Sequence, residues 1–275
     1  MAVRSTTEGR VRVLTLDRVD AYNTITEQVR LELDEALDAA HADDDVHCIL
    51  LRAEGPAFCA GYDLDWGVSA TVAEEAWDPT LDYHRIIGPF VATYLKLFEG
   101  PIPVVAAVQG WCLGGGTDMV LCADLVLAAD DAVFGYPPAR VWGVPTTGMW
   151  VHRLGLEQAK RYLLTGDEIP ASEAARTGLI LEAVPARELD DRAADLAGRI
   201  ARLPRNQLAL MKLMLNRTVR DQIEQGRLLG TLFDGIARHT PEGTAWVERA
   251  MHEGVRSAVR ERDEPFGDYG SRPPD

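Results

Sequence analysis

Residues 103–129 constrain this chain more than any other segment. Pro103-Val104-Val105-Ala106-Ala107-Val108 is an unbroken apolar run of strand length, and Asp124-Leu125-Val126-Leu127-Ala128-Ala129 is a second. Apolar runs without alternation imply strands covered on both faces, as in a parallel sheet between helical layers. Between them lie Gln109-Gly110-Trp111-Cys112-Leu113-Gly114-Gly115-Gly116-Thr117-Asp118 and a short helical pattern, Met119-Val120-Leu121-Cys122. Glycines at a strand-to-helix turn let backbone approach a ligand closely. They also leave the first N–H groups of the helix pointing outward at its positive end. Asp118 adds a carboxylate within the first turn. Bare donors beside a carboxylate suit chemistry on an activated carbonyl, where an oxyanion must be held and a proton moved.

With 275 residues, 47% of them hydrophobic, the chain is long enough for one large α/β domain or a core with a smaller appendage. Its formal charge of −15, from 28 basic and 43 acidic residues, argues against nucleic-acid or anionic-membrane partners. A small anionic ligand stays possible, because local cations and helix ends hold phosphates even on an acidic protein. No signal-peptide-like segment is expected at the N-terminus. The longest apolar region is interrupted by Gln109, Asp118 and Asp124, against a transmembrane helix. Cys48, Cys59, Cys112 and Cys122 sit in apolar surroundings without zinc or CxxC spacing, so they are expected to be reduced core residues of a soluble, cytoplasmic protein.

Along the chain, Val11–Leu16 alternates like a strand and Thr26 is a candidate N-cap for a helix over Thr26–Ala40. Cys48–Arg52 is a further strand, followed by a Gly- and Pro-rich turn over Glu54–Leu64. A polar, irregular connection over 67–83 leads to a helix over Arg85–Phe98, ended by Gly100-Pro101. These strand–helix–strand units imply a layered α/β core. From Leu189 onward only helical patterns occur: Leu189–Ala201, Asn206–Thr218, Asp221–Ile236 and Gly243–Val259. The expected division is a core over 1–195 and a helical region over 196–275.

Several stretches together carry a family resemblance. They are Ala57-Phe58-Cys59-Ala60-Gly61-Tyr62-Asp63-Leu64, Pro101 to Gly110, Gly114-Gly115-Gly116, Thr165 to Ala174 with Gly178-Leu179-Ile180, and Glu253 to Gly267. Taken in order, they resemble the crotonase (enoyl-CoA hydratase/isomerase) superfamily over nearly the whole chain. The resemblance implies an α/β fold, a spiral of ββα repeats with a C-terminal helical oligomerisation region forming a homotrimer or a dimer of trimers. It implies an acyl-CoA thioester substrate and no cofactor beyond the coenzyme A that the substrate carries. Position by position, the N–H groups of Tyr62 and Gly115 would hold the thioester oxygen, and Asp118 would act as general acid/base or orient water, the alternative being that it simply caps its helix. CoA would lie along Ala60, Gly61, Tyr62, Asp63, Leu64 and Asp65. Arg18 is a candidate for the phosphates, or a solvated surface cation.

The carboxylates depart from the pattern. Family hydratases use two glutamates; here the first position is Asp118 and the second falls on Pro138, which transfers no proton. Dienoyl-CoA isomerases place an aspartate at the first position but need acids where this chain has Pro138 and Thr146. Dehalogenase-type members need an aspartate at Thr146. Both subclasses are disfavoured. In and beside the loop Pro137–Thr147, Tyr136, Arg140 and Thr146 could orient water, bind a substrate carboxylate or merely pack. Arg140 would pair with Asp118, bind an acidic acyl group, or form a structural salt bridge. The leading expectation is an enoyl-CoA hydratase, a lyase. Malonyl-type decarboxylation, one-base enoyl-CoA isomerisation and non-catalytic acyl-CoA binding are the alternatives. No metal site is expected, and none of the six histidines is singled out.

Overall fold

The computed structural model describes residues 1–65, 67–68 and 78–269. Strands β1 (Val3–Glu8) and β2 (Val11–Leu16) form an antiparallel hairpin. Helix α1 (Glu27–Ala42) follows, with the Thr26 hydroxyl accepting the Val29 N–H at 3.3 Å. The chain then repeats one unit: a strand in a large sheet, a short strand in a small sheet, and a helix. β3 (Cys48–Ala53) and β4 (Ala57–Cys59) lead to α2 (Ile87–Glu99), and β5 (Val104–Val108) and β6 (Trp111–Leu113) lead to α3 (Gly115–Val120). β7 (Leu125–Ala129) and β8 (Val133–Gly135) lead to α4 (Met149–Leu163). β9 (Ile169–Pro170), α5 (Ala171–Thr177) and β10 (Glu182–Val184) complete the two sheets.

The large sheet has the order β1-β2-β3-β5-β7-β10 and is parallel from β2 onward; the small sheet has the order β4-β6-β8-β9. β5 is buried along its whole length, which explains its unbroken apolar sequence. In the small sheet β4, β6 and β8 are parallel neighbours, so the turns after β4 and β6 emerge at the same edge. That shared edge positions the site.

Four details differ from the sequence reading. The glycine turn does not follow Val104–Val108 directly: β6 intervenes, a three-residue strand too short to show periodicity. β1 is exposed along all but its first residue, and its polar sequence gave no strand pattern. The helix expected from Arg85 begins at Ile87, after a wider π-helical turn over Asp82–Ile86. Residues 69–77 of the polar connection lie outside the described residues, but Pro79–Leu81 is a helical turn capped by the Asp78 carboxylate.

The C-terminal helices are α6 (Leu189–Ile200), α7 (Arg205–Arg217), α8 (Arg220–Arg238), α9 (Pro241–Glu253) and α10 (Val255–Asp263). The expected single helix over Gly243–Val259 is broken at Gly254, whose φ of +87° is incompatible with a helix. α7 is tied to the core by Lys212, whose Nζ donates to the Leu97 and Ile102 carbonyls at 2.7 and 3.0 Å and pairs with Asp124 at 2.7 Å. Leu210, Leu213, Met214 and Leu215 of α7 and Phe233 of α8 are exposed.

Candidate active site

The turn after β4 runs through Gly61, at φ +100°, a conformation that L side chains rarely adopt. A Cβ on Gly61 would lie 3.1 Å from the Leu113 carbonyl and 3.8 Å from the Gly115 nitrogen, so this turn touches the next one. Tyr62 forms a parallel bridge with Ile25: the Ile25 N–H donates to the Gly61 carbonyl at 2.8 Å, and the Asp63 N–H donates to the Ile25 carbonyl at 2.9 Å. The Tyr62 N–H between them therefore faces the opposite side of the strand. After β6, Gly114 caps α3, and its carbonyl accepts the N–H groups of Thr117 and Asp118 at 2.9 and 3.1 Å. The Gly115 N–H precedes those bonds, at the open positive end of the helix. Adjacency of β4 and β6 thus sets two main-chain amides side by side.

These amides border a cavity of about 470 Å³. Ala60, Tyr62, Asp63, Leu64, Asp65 and Gly115, all singled out from the sequence, line it. Tyr136, Pro138 and Trp142 form another wall.

Asp118 is fully buried and stands behind this wall, not among the residues that line the cavity. Thr146 donates its hydroxyl to Oδ2 at 2.9 Å and its N–H at 3.2 Å, and the Thr147 hydroxyl donates to Oδ1 at 3.4 Å. The Tyr136 hydroxyl donates to the Val144 carbonyl at 3.0 Å and lies 3.5 Å from Oδ2. Burial lifts the Asp118 pKa to about 7; the Thr146 and Thr147 donors oppose that shift, and the nearby Asp234 reinforces it. A carboxyl poised there both accepts and donates protons near neutral pH.

Arg140 is not brought to the site. Its buried guanidinium binds Asp268 at 2.7 and 2.6 Å and Asp263 at 3.0 Å, with the Phe266 ring 3.8 Å away. The structural salt bridge is the alternative realised, because the chain end folds over the loop and supplies two carboxylates there. Arg18 also stands outside the cavity lining. One of its nitrogens donates to the Thr24 carbonyl and the other pairs with Asp63 at 3.4 Å, so it braces the Ala60–Asp65 loop. The cavity wall at Pro138 carries no acid. His84 is exposed and packs against Tyr83. Among the described residues no group of three His, Cys, Asp or Glu side chains could hold a metal, and no helix is long and apolar enough to cross a membrane.

A carboxylate that the sequence reading missed does line the cavity: Asp234, from α8, beside Arg238. Its Oδ1 accepts the Val144 N–H at 3.2 Å and its Oδ2 lies 3.6 Å from Arg238 Nε, while Arg238 pairs with the buried Asp82. Burial raises the Asp234 pKa to about 6 against the lowering effect of Arg238. One signal was available. Gly226, Gly230, Asp234 and Arg238 recur every fourth residue, which places all four on one helical face.

Residues 6–249 match the family model for enoyl-CoA hydratase/isomerase. The chain is 31% identical over 262 residues to a probable enoyl-CoA hydratase of Mycobacterium bovis, covering 94% of this chain and 95% of that one. It is 33% identical over 218 residues to the 1,2-epoxyphenylacetyl-CoA isomerase of Escherichia coli, covering 78% and 81%. A crystal structure of an enoyl-CoA hydratase from Mycobacterium smegmatis superposes with a TM-score of 0.93 at 43% identity, covering 100% of this chain and 97% of that one. With paired amides at the rim of a cavity and carboxyls behind and beside it, the chain belongs to the enoyl-CoA hydratase/isomerase family, the crotonase superfamily, and is an acyl-CoA-processing enzyme of that family.

Proposed function

We propose that the enzyme hydrates 2-enoyl-CoA thioesters. The thioester oxygen is held by the N–H groups of Tyr62 and Gly115, and the CoA chain follows Ala60–Asp65. Addition of water to the double bond places an enolate charge on that oxygen, where two fixed amides stabilise it. Loss of one such donor costs about 3–4 kcal/mol of transition-state stabilisation. Asp118 serves as a buried proton reservoir; Tyr136, which touches Asp118 and lines the cavity, connects it to the substrate. The observation that carries this reading is the adjacency of the Gly61 and Gly115 turns above a carboxyl that titrates near neutral pH.

The Arg140 guanidinium, bound to Asp263 and Asp268, is not available to hold a malonyl-type carboxylate, which favours hydration over decarboxylation. The exposed apolar side chains of α7 and Phe233 of α8 support self-association, as a trimer or a dimer of trimers, which sedimentation velocity would distinguish. A cytoplasmic location is part of the same reading. The deciding assay supplies crotonyl-CoA in heavy-oxygen water, beside methylmalonyl-CoA and a 3-enoyl-CoA. One labelled oxygen in a 3-hydroxyacyl-CoA is expected. Turnover of either other thioester without hydration, or tight binding with no turnover at all, would overturn the proposal.

A further inference from the structure

We propose that Asp234 is the second acid–base group of this enzyme, replacing from the C-terminal helical region the carboxylate that Pro138 denies to the usual loop. The inference rests on the hydration reading above and adds a catalytic residue to it.

The placement follows from the packing of α8. A Cβ on Gly226 would stand 2.7 Å from Gly148 Cα, and one on Gly230 would stand 2.2 Å from the Pro145 carbonyl oxygen and 3.0 Å from Thr146 Cα. The helix backbone therefore lies directly on the loop whose Thr146 holds Asp118. One turn beyond Gly230, the same face carries Asp234, and one turn further Arg238. Asp234 is only 5% exposed, and what it exposes faces the cavity shared with Tyr62 and Gly115.

The groups around Asp234 fix its chemistry. Val144 donates its N–H to Oδ1, the Arg238 Nε approaches Oδ2 while its Nη2 binds Asp82, Asp118 acts from α3 as a like charge, and the hydroxyls of Tyr62 and Tyr136 lie within the field of both carboxyls. Asp118 and Asp234 are both buried, burial raises the proton affinity of each, and Asp234 acts on Asp118 as a like charge, so one proton held between the two relieves their mutual repulsion. A shared proton is what a two-carboxyl hydration needs. Asp234 takes a proton from water as the oxygen bonds to the β carbon. The electron pair of the double bond moves to the thioester oxygen on the two amides. The enolate then re-forms the carbonyl as its α carbon takes a proton supplied through Tyr136 from Asp118. Passage of a proton from Asp234 back to Asp118 resets the pair, and one water has been added.

The test is Asp234→Asn in the full-length protein, with crotonyl-CoA hydration, butyryl-CoA binding and thermal unfolding measured together. Loss of at least 100-fold in kcat is expected for an acid–base group, with butyryl-CoA affinity held within about threefold and the acidic limb of the kcat profile abolished. Unchanged kcat and an unchanged limb would overturn the assignment. Should the Asn variant not fold, Asp234→Glu carries the test: a displaced carboxylate lowers kcat about tenfold or more and moves the limb, whereas wild-type behaviour refutes the role. If the wild-type enzyme does not hydrate enoyl-CoA but turns over another thioester, the hydration reading fails. The Asn variant on that substrate then judges Asp234 separately: retained turnover overturns it.

Discussion

Replacing Asp118 by Asn should remove the pH dependence of stability that this residue imposes. In the folded protein its pKa is about 7, against an ordinary value of 3.8. A raised carboxyl pKa means that folding favours the neutral acid. Its contribution is therefore fully present below the ordinary pKa, erodes as pH rises and is lost above about 7. A gap of roughly three pH units at 1.36 kcal/mol each amounts to about 4 kcal/mol in all, of which about 2–3 kcal/mol is lost between pH 5 and pH 8. Asn cannot ionise. Hydrogen bonds that it makes less well with Thr146 and Thr147 add an offset that does not vary with pH. Relative to the wild type, the variant should gain on the order of 5–10 °C in unfolding midpoint between pH 5 and pH 8, at about 2–4 °C per kcal/mol for a chain of this size. Differential scanning fluorimetry at several pH values measures this directly. A wild-type-minus-variant difference that stays flat across the range would refute the claim that Asp118 is held as a near-neutral acid.

Thr146→Val removes the hydroxyl donor 2.9 Å from Asp118. The Asp118 pKa should rise further and the activity profile should move to higher pH, as kcat measured from pH 5 to pH 9 would register. Arg140→Met breaks the buried clamp, leaving Asp263 with Arg262 and stripping Asp268 of its bidentate cation, a loss of about 3–5 kcal/mol. The measured unfolding midpoint should drop and proteolysis near the C-terminus should accelerate. Gly61→Ala forces a side chain into φ +100° against the Leu113 carbonyl. It should reduce kcat/KM by tenfold or more, equivalent to about 1–2 kcal/mol of backbone strain transferred to the oxyanion site. The four thiols are buried, with Cys59 pushed up to about 12 by burial, so a thiol reagent should leave them unmodified until the protein is unfolded.

Much of this architecture was legible in the sequence because the decisive signals are local. Val104–Val108 must be covered on both faces, Thr26 caps the helix that follows it, and the glycines around 61 and 114–116 mark turns that only small residues allow. Three-residue strands such as Trp111–Leu113 were not legible, because no period can be read over so short a run. Arg140 illustrates a different limit. From the sequence it could pair with Asp118, bind an acidic acyl group or form a structural salt bridge; its partners Asp263 and Asp268 lie more than 120 residues away, and only chain folding selects them over Asp118.

The sequence by itself determined the substrate class: a family pattern running through nearly the whole chain specifies an acyl-CoA, and glycine turns at two strand ends supply the main-chain amides that the proposed mechanism uses. Only the tertiary structure decided which acids lie at or behind the cavity. Asp118 sits behind the cavity wall, not in it, while Asp234 enters from a helix more than a hundred residues later, delivered by Gly226 and Gly230 packed onto the 145–148 loop. The physical reason is that an amide's direction follows from local backbone geometry. A carboxyl group's access and proton affinity depend instead on burial and on charges that distant segments bring together.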